Sequence, residues 1–168
     1  MVIDQLKTIQ DLEELFKWLN EPLYRYAYVR CGYNRELAED ITQDIFIKAW
    51  IKRSTFNANK SSLKNWIYII ARNYIIDFYR KKKPVTSSYN ELQDVLKEQG
   101  MTIEDELMLY SIMNKLDSLK DHEKEVIILR YVQDLEIEDI AKITNKNINA
   151  TKVMIHRAIQ KLKEIMKL

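Results

Sequence analysis

Glycine and proline are nearly missing: the 168-residue chain has 2 of each. A hairpin-rich sheet needs both for its tight turns, so their scarcity argues against most β architectures and predicts an all-α protein. Cysteine is scarcer still. Cys31 has no second thiol to pair with, and with only His122 and His156 beside it no zinc set can be assembled. Cys31 therefore reads as simple packing, and the composition fits a reducing cytoplasm. Long apolar runs are absent too. The best stretch, Trp66 to Ile76, is broken by Arg72 and Asn73, which predicts no membrane span. The opening MVIDQLKTIQDLEELF has neither the basic nor the apolar part of a secretory signal. No glycine-rich phosphate loop, metal-spaced histidine and carboxylate cluster, or nucleophile motif is visible, so the reading is a protein that is not an enzyme and has no cofactor or metal.

What the chain does have is charge in unequal places. The net charge is only +2, from 27 Lys and Arg against 25 Asp and Glu. Between Pro84 and Tyr110, however, Glu91, Asp94, Glu98, Glu104, Asp105 and Glu106 face only Lys97, whereas Arg80 to Lys83 is an unbroken cationic run. A nucleic-acid signal would lie in that distribution rather than in the sum.

Helical periodicity and capping residues divide the chain. Asp11 is expected to cap a short helix through Leu19, and Pro22 to open a second one through Arg30 that Gly32 ends. Asn34 caps a helix from about Arg35 to Arg53. Ser61 or Ser62 caps a long one from Leu63 to about Lys82, after the polar loop STFNANKSS. Pro84 stops that helix, and TSSYNELQDVLKEQG, from Thr86 to Gly100, reads as a linker. Four helices follow, roughly Ile103 to Ser118, His122 to Val132, Glu136 to Ile143 and Ile148 to Met166.

Two helices of the first half have a second usable side. From Arg35 onward, Ala38, Ile41, Ile45 and Ala49 share a buried stripe, which leaves Asp40, Gln43 and Ile47 flanked by Glu39, Phe46 and Trp50. Either this is a solvated face with its rings tucked against neighbours, or it docks a protein. From Leu63 onward, Leu63, Ile67, Ile70, Tyr74 and Phe78 form an apolar face, opposite Tyr68, Arg72, Ile76 and Tyr79 with Asn73 and Arg80 alongside. Rings alternating with cations suit unpaired bases and their phosphates, and Phe56, Asn57, Asn59 and Lys60 in the preceding loop would complete a pocket. The alternative is that the tyrosines merely cover apolar surface and the arginine and lysines complement a helix end.

The second half ends in a probe-like pattern. A short helix with Ile137, Ile140 and Ala141, a turn at Thr144 to Lys146 and an N-cap at Asn147 have helix-turn-helix punctuation. Asn145 stands where a left-handed turn residue is needed. On the last helix Thr151, Ile155, Ala158, Ile159 and Leu162 face the core. Asn149, Lys152, Val153, His156, Arg157 and Gln160 then point outward, where a major groove is read, and Lys161, Lys163 and Lys167 could follow phosphates. A helical hairpin in a plain bundle is the competing reading.

The order of AEDITQDIFIKAW, LKNWIYIIARNYIIDFYRKKK and LDSLKDHEKEVIILRYVQDLEIEDIAKI, followed by the terminal helix, resembles the extracytoplasmic-function sigma factors of bacterial RNA polymerase. The resemblance implies a sigma region two over residues 1–83, a linker over 84–102 and a sigma region four over 103–168. It further implies that Asp40, Gln43, Asp44, Phe46, Ile47 and Trp50 dock on core polymerase. Phe56, Asn57, Asn59, Lys60, Tyr68, Arg72, Asn73, Ile76 and Arg80 would recognise and open the minus-ten element. The last helix would read the minus-thirty-five element. An anti-sigma factor, membrane-linked in some cases, is an implied partner. The last helix departs from the family's Thr-Val-Lys-Ser-Arg run: Ala150, Thr151, Lys152, Val153 and Met154 stand there, and only Lys152 survives. Two other readings remain at this point, a polymerase-independent dimeric helix-turn-helix regulator and a helical protein-binding adaptor.

Overall fold

The structure, a computed structural model, describes residues 8–81 and 103–166. The expected linker and the end of the cationic run lie outside the described residues. All regular structure among the described residues is helical. The first group holds α1 (Ile9–Arg30), α2 (Arg35–Ile51) and α3 (Leu63–Lys81), with a 3-10 turn at Arg53–Thr55. The second holds α4 (Ile103–Asp117), α5 (Asp121–Ile127) running into a π turn at Ile128–Val132, α6 (Ile137–Thr144) and α7 (Ile148–Met166).

The first correction concerns α1, which is one helix and not two. Thr8 caps it, accepting from the Asp11 amide at 3.2 Å while Asp11 accepts from the Thr8 amide at 2.7 Å, so Asp11 closes a capping box rather than starting the helix. Pro22 lies inside it. A mid-helix proline costs about 3 kcal/mol, but burying a leucine contributes about 1.5–3 kcal/mol. Leu15, Leu19, Leu23 and Tyr26 form one buried stripe that spans the proline. Packing outweighs the local defect.

Gly32 and then Tyr33 take left-handed backbone to turn the chain into α2. A bulky residue there is strained by about 1–2 kcal/mol. Its ring is held in compensation, edge-on to Tyr28 at 5.7 Å and beneath the Lys124 ammonium at 5.6 Å. Asn34 caps α2 by accepting from the Leu37 amide at 2.8 Å, and Ser62 caps α3 by accepting from Asn65 at 3.2 Å.

The two groups do not stand apart. Their buried residues form one continuous cluster, from Leu15 and Tyr26 through Ile67 and Ile75 to Leu129, Ile140 and Ile155. α3 packs on α6, and α1 packs on the π turn. That turn widens the expected helix end and is followed by Asp134 in left-handed backbone, which brings Gln133 inward as a buried side chain.

Candidate nucleic-acid interface

On α2 the expected stripe of Ala38, Ile41, Ile45 and Ala49 is buried. Asp40 and Gln43 are exposed, and Ile47 is 56% exposed. Asp44 is half-buried and accepts a hydrogen bond from the Tyr74 hydroxyl. Burial first, and then that bond, push the Tyr74 phenol up to about 12, so it stays a donor at neutral pH. Trp50 is half-buried, with the Arg53 guanidinium 4.2 Å from its ring centroid. Phe46 is a correction: expected on the spare face, it is 5% exposed, its ring 4.9 Å from that of Phe16. Following Ile45 and lying one turn after Thr42, it widens the core stripe toward α1. The accessible ring at this edge is Phe16, 43% exposed and missed by the sequence reading. Its only signal was an aromatic placed directly beside the stripe residue Leu15.

The loop before α3 is built by local bonds. Asn57 accepts from the Asn59 amide at 2.9 Å, Lys60 donates its amide to the Asn57 carbonyl at 3.0 Å, and Phe56 leans on Trp66 at 5.5 Å. Asn57, Asn59 and Lys60 are exposed and Phe56 is half-buried. On α3, Asn73, Ile76 and Arg80 are exposed. Arg80 pairs with Asp77 at 2.9 Å in an exposed contact worth at most about 1 kcal/mol, which a phosphate can displace.

The remaining α3 residues are corrected. Tyr68 is fully buried, and its hydroxyl donates to the Gln133 side-chain carbonyl at 2.6 Å. The core stripe of α3 runs through Ile67, Tyr68, Ala71 and Ile75, while Tyr74 and Phe78 are half-buried. Tyr79 is half-buried as well and interacts with Cys31. α3 has this broad buried side because the second group covers it. Arg72 is half-buried and its Nε donates to Glu125 at 3.0 Å. Glu125 is itself 3% exposed and also accepts from the Tyr26 hydroxyl at 3.3 Å. Burial, and next the Glu125 charge, raise the Tyr26 phenol, so that it remains the donor.

In the second group Asn145 is left-handed, the Lys146 amide bonds the Ala141 carbonyl at 2.9 Å, and Asn147 caps α7 by accepting from the Ala150 amide at 2.7 Å. Thr151, Ile155 and Ala158 are buried, and Ile159 and Leu162 are partly so. Asn149, Lys152, Val153, His156, Arg157 and Gln160 are all exposed, a mixed cationic and amide strip. Lys161 is corrected as a phosphate contact: it is tied to Glu123 at 2.7 Å. That bond, with one from the Lys120 amide, holds the Glu123 carboxyl below its usual range. Lys163 is exposed, and Lys167 lies outside the described residues.

The architecture has named counterparts. The family described as Sigma-70 region 2 matches residues 15–85, and that described as Sigma-70, region 4 matches residues 109–162. The ECF RNA polymerase sigma factor SigW of Bacillus subtilis (strain 168) is 30% identical over 92% of this chain and 86% of its own. The chain belongs to the extracytoplasmic-function sigma factors. The RNA polymerase sigma factor SigV of the same organism is 33% identical over 80% of this sigma factor and 77% of its own length. Among solved structures, the sigma factor RpoE in complex with the anti-sigma factor NepR, from Bartonella quintana, superposes with a TM-score of 0.73. It is 27% identical and covers 95% of this chain and 98% of its own. This sigma factor is therefore a promoter-directing initiation subunit, and the regulator and adaptor readings gain no support. Among the described residues no helix is long and apolar enough to cross a membrane, and no group of metal-ligating side chains occurs.

Proposed function

We propose that the chain carries three separate contact faces, divided between a first domain over residues 1–83 and a second over 103–168, joined by residues 84–102. Asp40, Gln43, Asp44, Ile47 and Trp50 dock on core polymerase, with Phe16 extending that face across Phe46 beneath. Phe56, Asn57, Asn59, Lys60, Arg72, Asn73, Ile76 and Arg80 take the minus-ten element once its strands part. Asn149, Lys152, Val153, His156, Arg157 and Gln160 read the minus-thirty-five duplex. The observation that carries this reading is the exposed amide, carboxylate and aliphatic surface on α2, which remains after its core stripe is filled.

Two weak DNA contacts on a tether reinforce each other only when their spacing is fixed, so core polymerase binds first and the promoter second. The chain works in the cytoplasm, where the polymerase is. An anti-sigma factor holds it silent, by likeness to the solved relative that contains one. The test is transcription with purified core polymerase and a labelled promoter library: promoter-specific transcripts are expected, and their absence with a folded chain overturns the reading. Gln43→Ala with Ile47→Ala should abolish polymerase association while the helices remain; retained association removes α2 as the docking face.

A further inference from the structure

Asp44 and Lys48 stand four positions apart on α2, the spacing at which a carboxylate and an ammonium on one helix ordinarily meet. Here they do not: among the described residues no ion pair joins the two. α3 instead puts Tyr74 within reach of both. Its hydroxyl donates to Asp44 Oδ2, and the Lys48 ammonium lies 4.9 Å from the centroid of its ring. One side chain thus holds the anion by its polar tip and the cation by its face. All three line the groove between α2 and α3, with Asp40, Asn73 and Asp77 alongside. Asp44, Lys48 and Tyr74 are each half-buried there. The result is a carboxylate with one oxygen fixed and the other, Oδ1, in no described hydrogen bond or ion pair.

We propose that Tyr74 is a positioning residue for polymerase docking: it keeps Asp44 apart from Lys48 and in one orientation, available to a cationic side chain of core polymerase. The proposal rests on the reading above that Asp44 docks on polymerase. Without the hydroxyl, Asp44 regains its side-chain freedom, and the opposite charge one turn further along α2 is Lys48. A pair of that kind is weak, yet polymerase would have to break it and order the carboxylate again before taking it. Tyr74 removes both costs in advance. Because it belongs to the helix that carries Asn73 and Ile76, the quality of the docking face depends on how α3 sits against α2. The docking residues on α2 are therefore completed by one that does not itself touch the polymerase.

The test titrates the full chain, labelled with a fluorophore at its amino terminus, with purified core polymerase and reads anisotropy. Tyr74→Phe keeps the ring and removes only the hydroxyl. It should weaken association about fivefold, and Asp44→Ala should weaken it by at least as much. Two double variants separate positioning from packing. Adding Tyr74→Phe to Asp44→Ala should cost nothing further, because the carboxylate it serves is gone. Adding Lys48→Met to Tyr74→Phe should recover about half or more of the lost affinity on a logarithmic scale, because the competing cation is gone. A side chain that merely filled the groove would show neither effect. Parent-like association of Tyr74→Phe beside a weakened Asp44→Ala overturns the positioning role and leaves the docking assignment of Asp44 standing. Parent-like association of Asp44→Ala overturns that assignment and the proposal with it. A further loss when Tyr74→Phe is added to Asp44→Ala shows that Tyr74 acts through another group, and overturns the proposal. Absence of any recovery with Lys48→Met overturns it as well.

Discussion

α3 and α7 are each 19 residues long and both mix cations, amides and aliphatics, yet they are packed differently. α7 rests on one side only, so its Thr151, Ile155 and Ala158 stripe is narrow and its outer strip is free. α3 lies between its own group and the second, and side chains a quarter-turn off its first stripe are buried as well. The difference teaches that an amphipathic pattern reports a single packing surface. When a helix is covered twice, the second cover is invisible in the period, and polar residues such as Asn65 and Tyr68 sit inside.

The contrast is broken most forcefully by truncation. Ile75→Ala on α3, fully buried, should cost about 2–5 kcal/mol in urea unfolding, whereas Val153→Ala on α7, exposed, should stay within about 0.5 kcal/mol. Equal costs would mean that α3 has only one cover. Tyr68→Phe should cost about 1–3 kcal/mol, because it removes the hydroxyl that satisfies buried Gln133. A neutral Tyr68→Phe, read by thermal melting, would instead leave that ring free for other partners. Arg80→Ala and Lys152→Ala should each leave the melting temperature unmoved and flatten the salt dependence of promoter binding by polymerase holoenzyme by about one unit of slope. An unchanged slope strikes the residue from the phosphate contacts.

The smallest effect concerns acid. Because the Glu123 carboxyl is held below its ordinary 4.5 by Lys161, its contribution to stability is present above that value and is lost as pH falls through its lowered folded value. Lys161→Met should therefore reduce stability near neutrality and make unfolding less sensitive to acid; an identical acid limb in the two proteins would refute the bond.

Much of the architecture was legible because the determinants are local. Asn34, Asn145 and Asn147 mark their helix ends by side-chain and backbone chemistry that needs no distant partner. The α7 strip was legible for the same reason, as spacing alone separates Lys152 and His156 from Thr151 and Ile155. Pro22 misled because its cost is local while the leucine burial that offsets it is tertiary. Phe46 misled because its cover, Phe16, comes from another helix. Arg72 could not be seen to meet Glu125, 53 positions away, since nothing in either neighbourhood announces the other.

Tyr33 ties the corner of the first group to the second. The corner between α1 and α2 is a strained bend whose clamp, the ammonium of Lys124, is borrowed from the opposite group. The shape of that corner is therefore not a property of the first three helices alone: a charge from the second group helps to hold its ring, and Lys124→Met should loosen it.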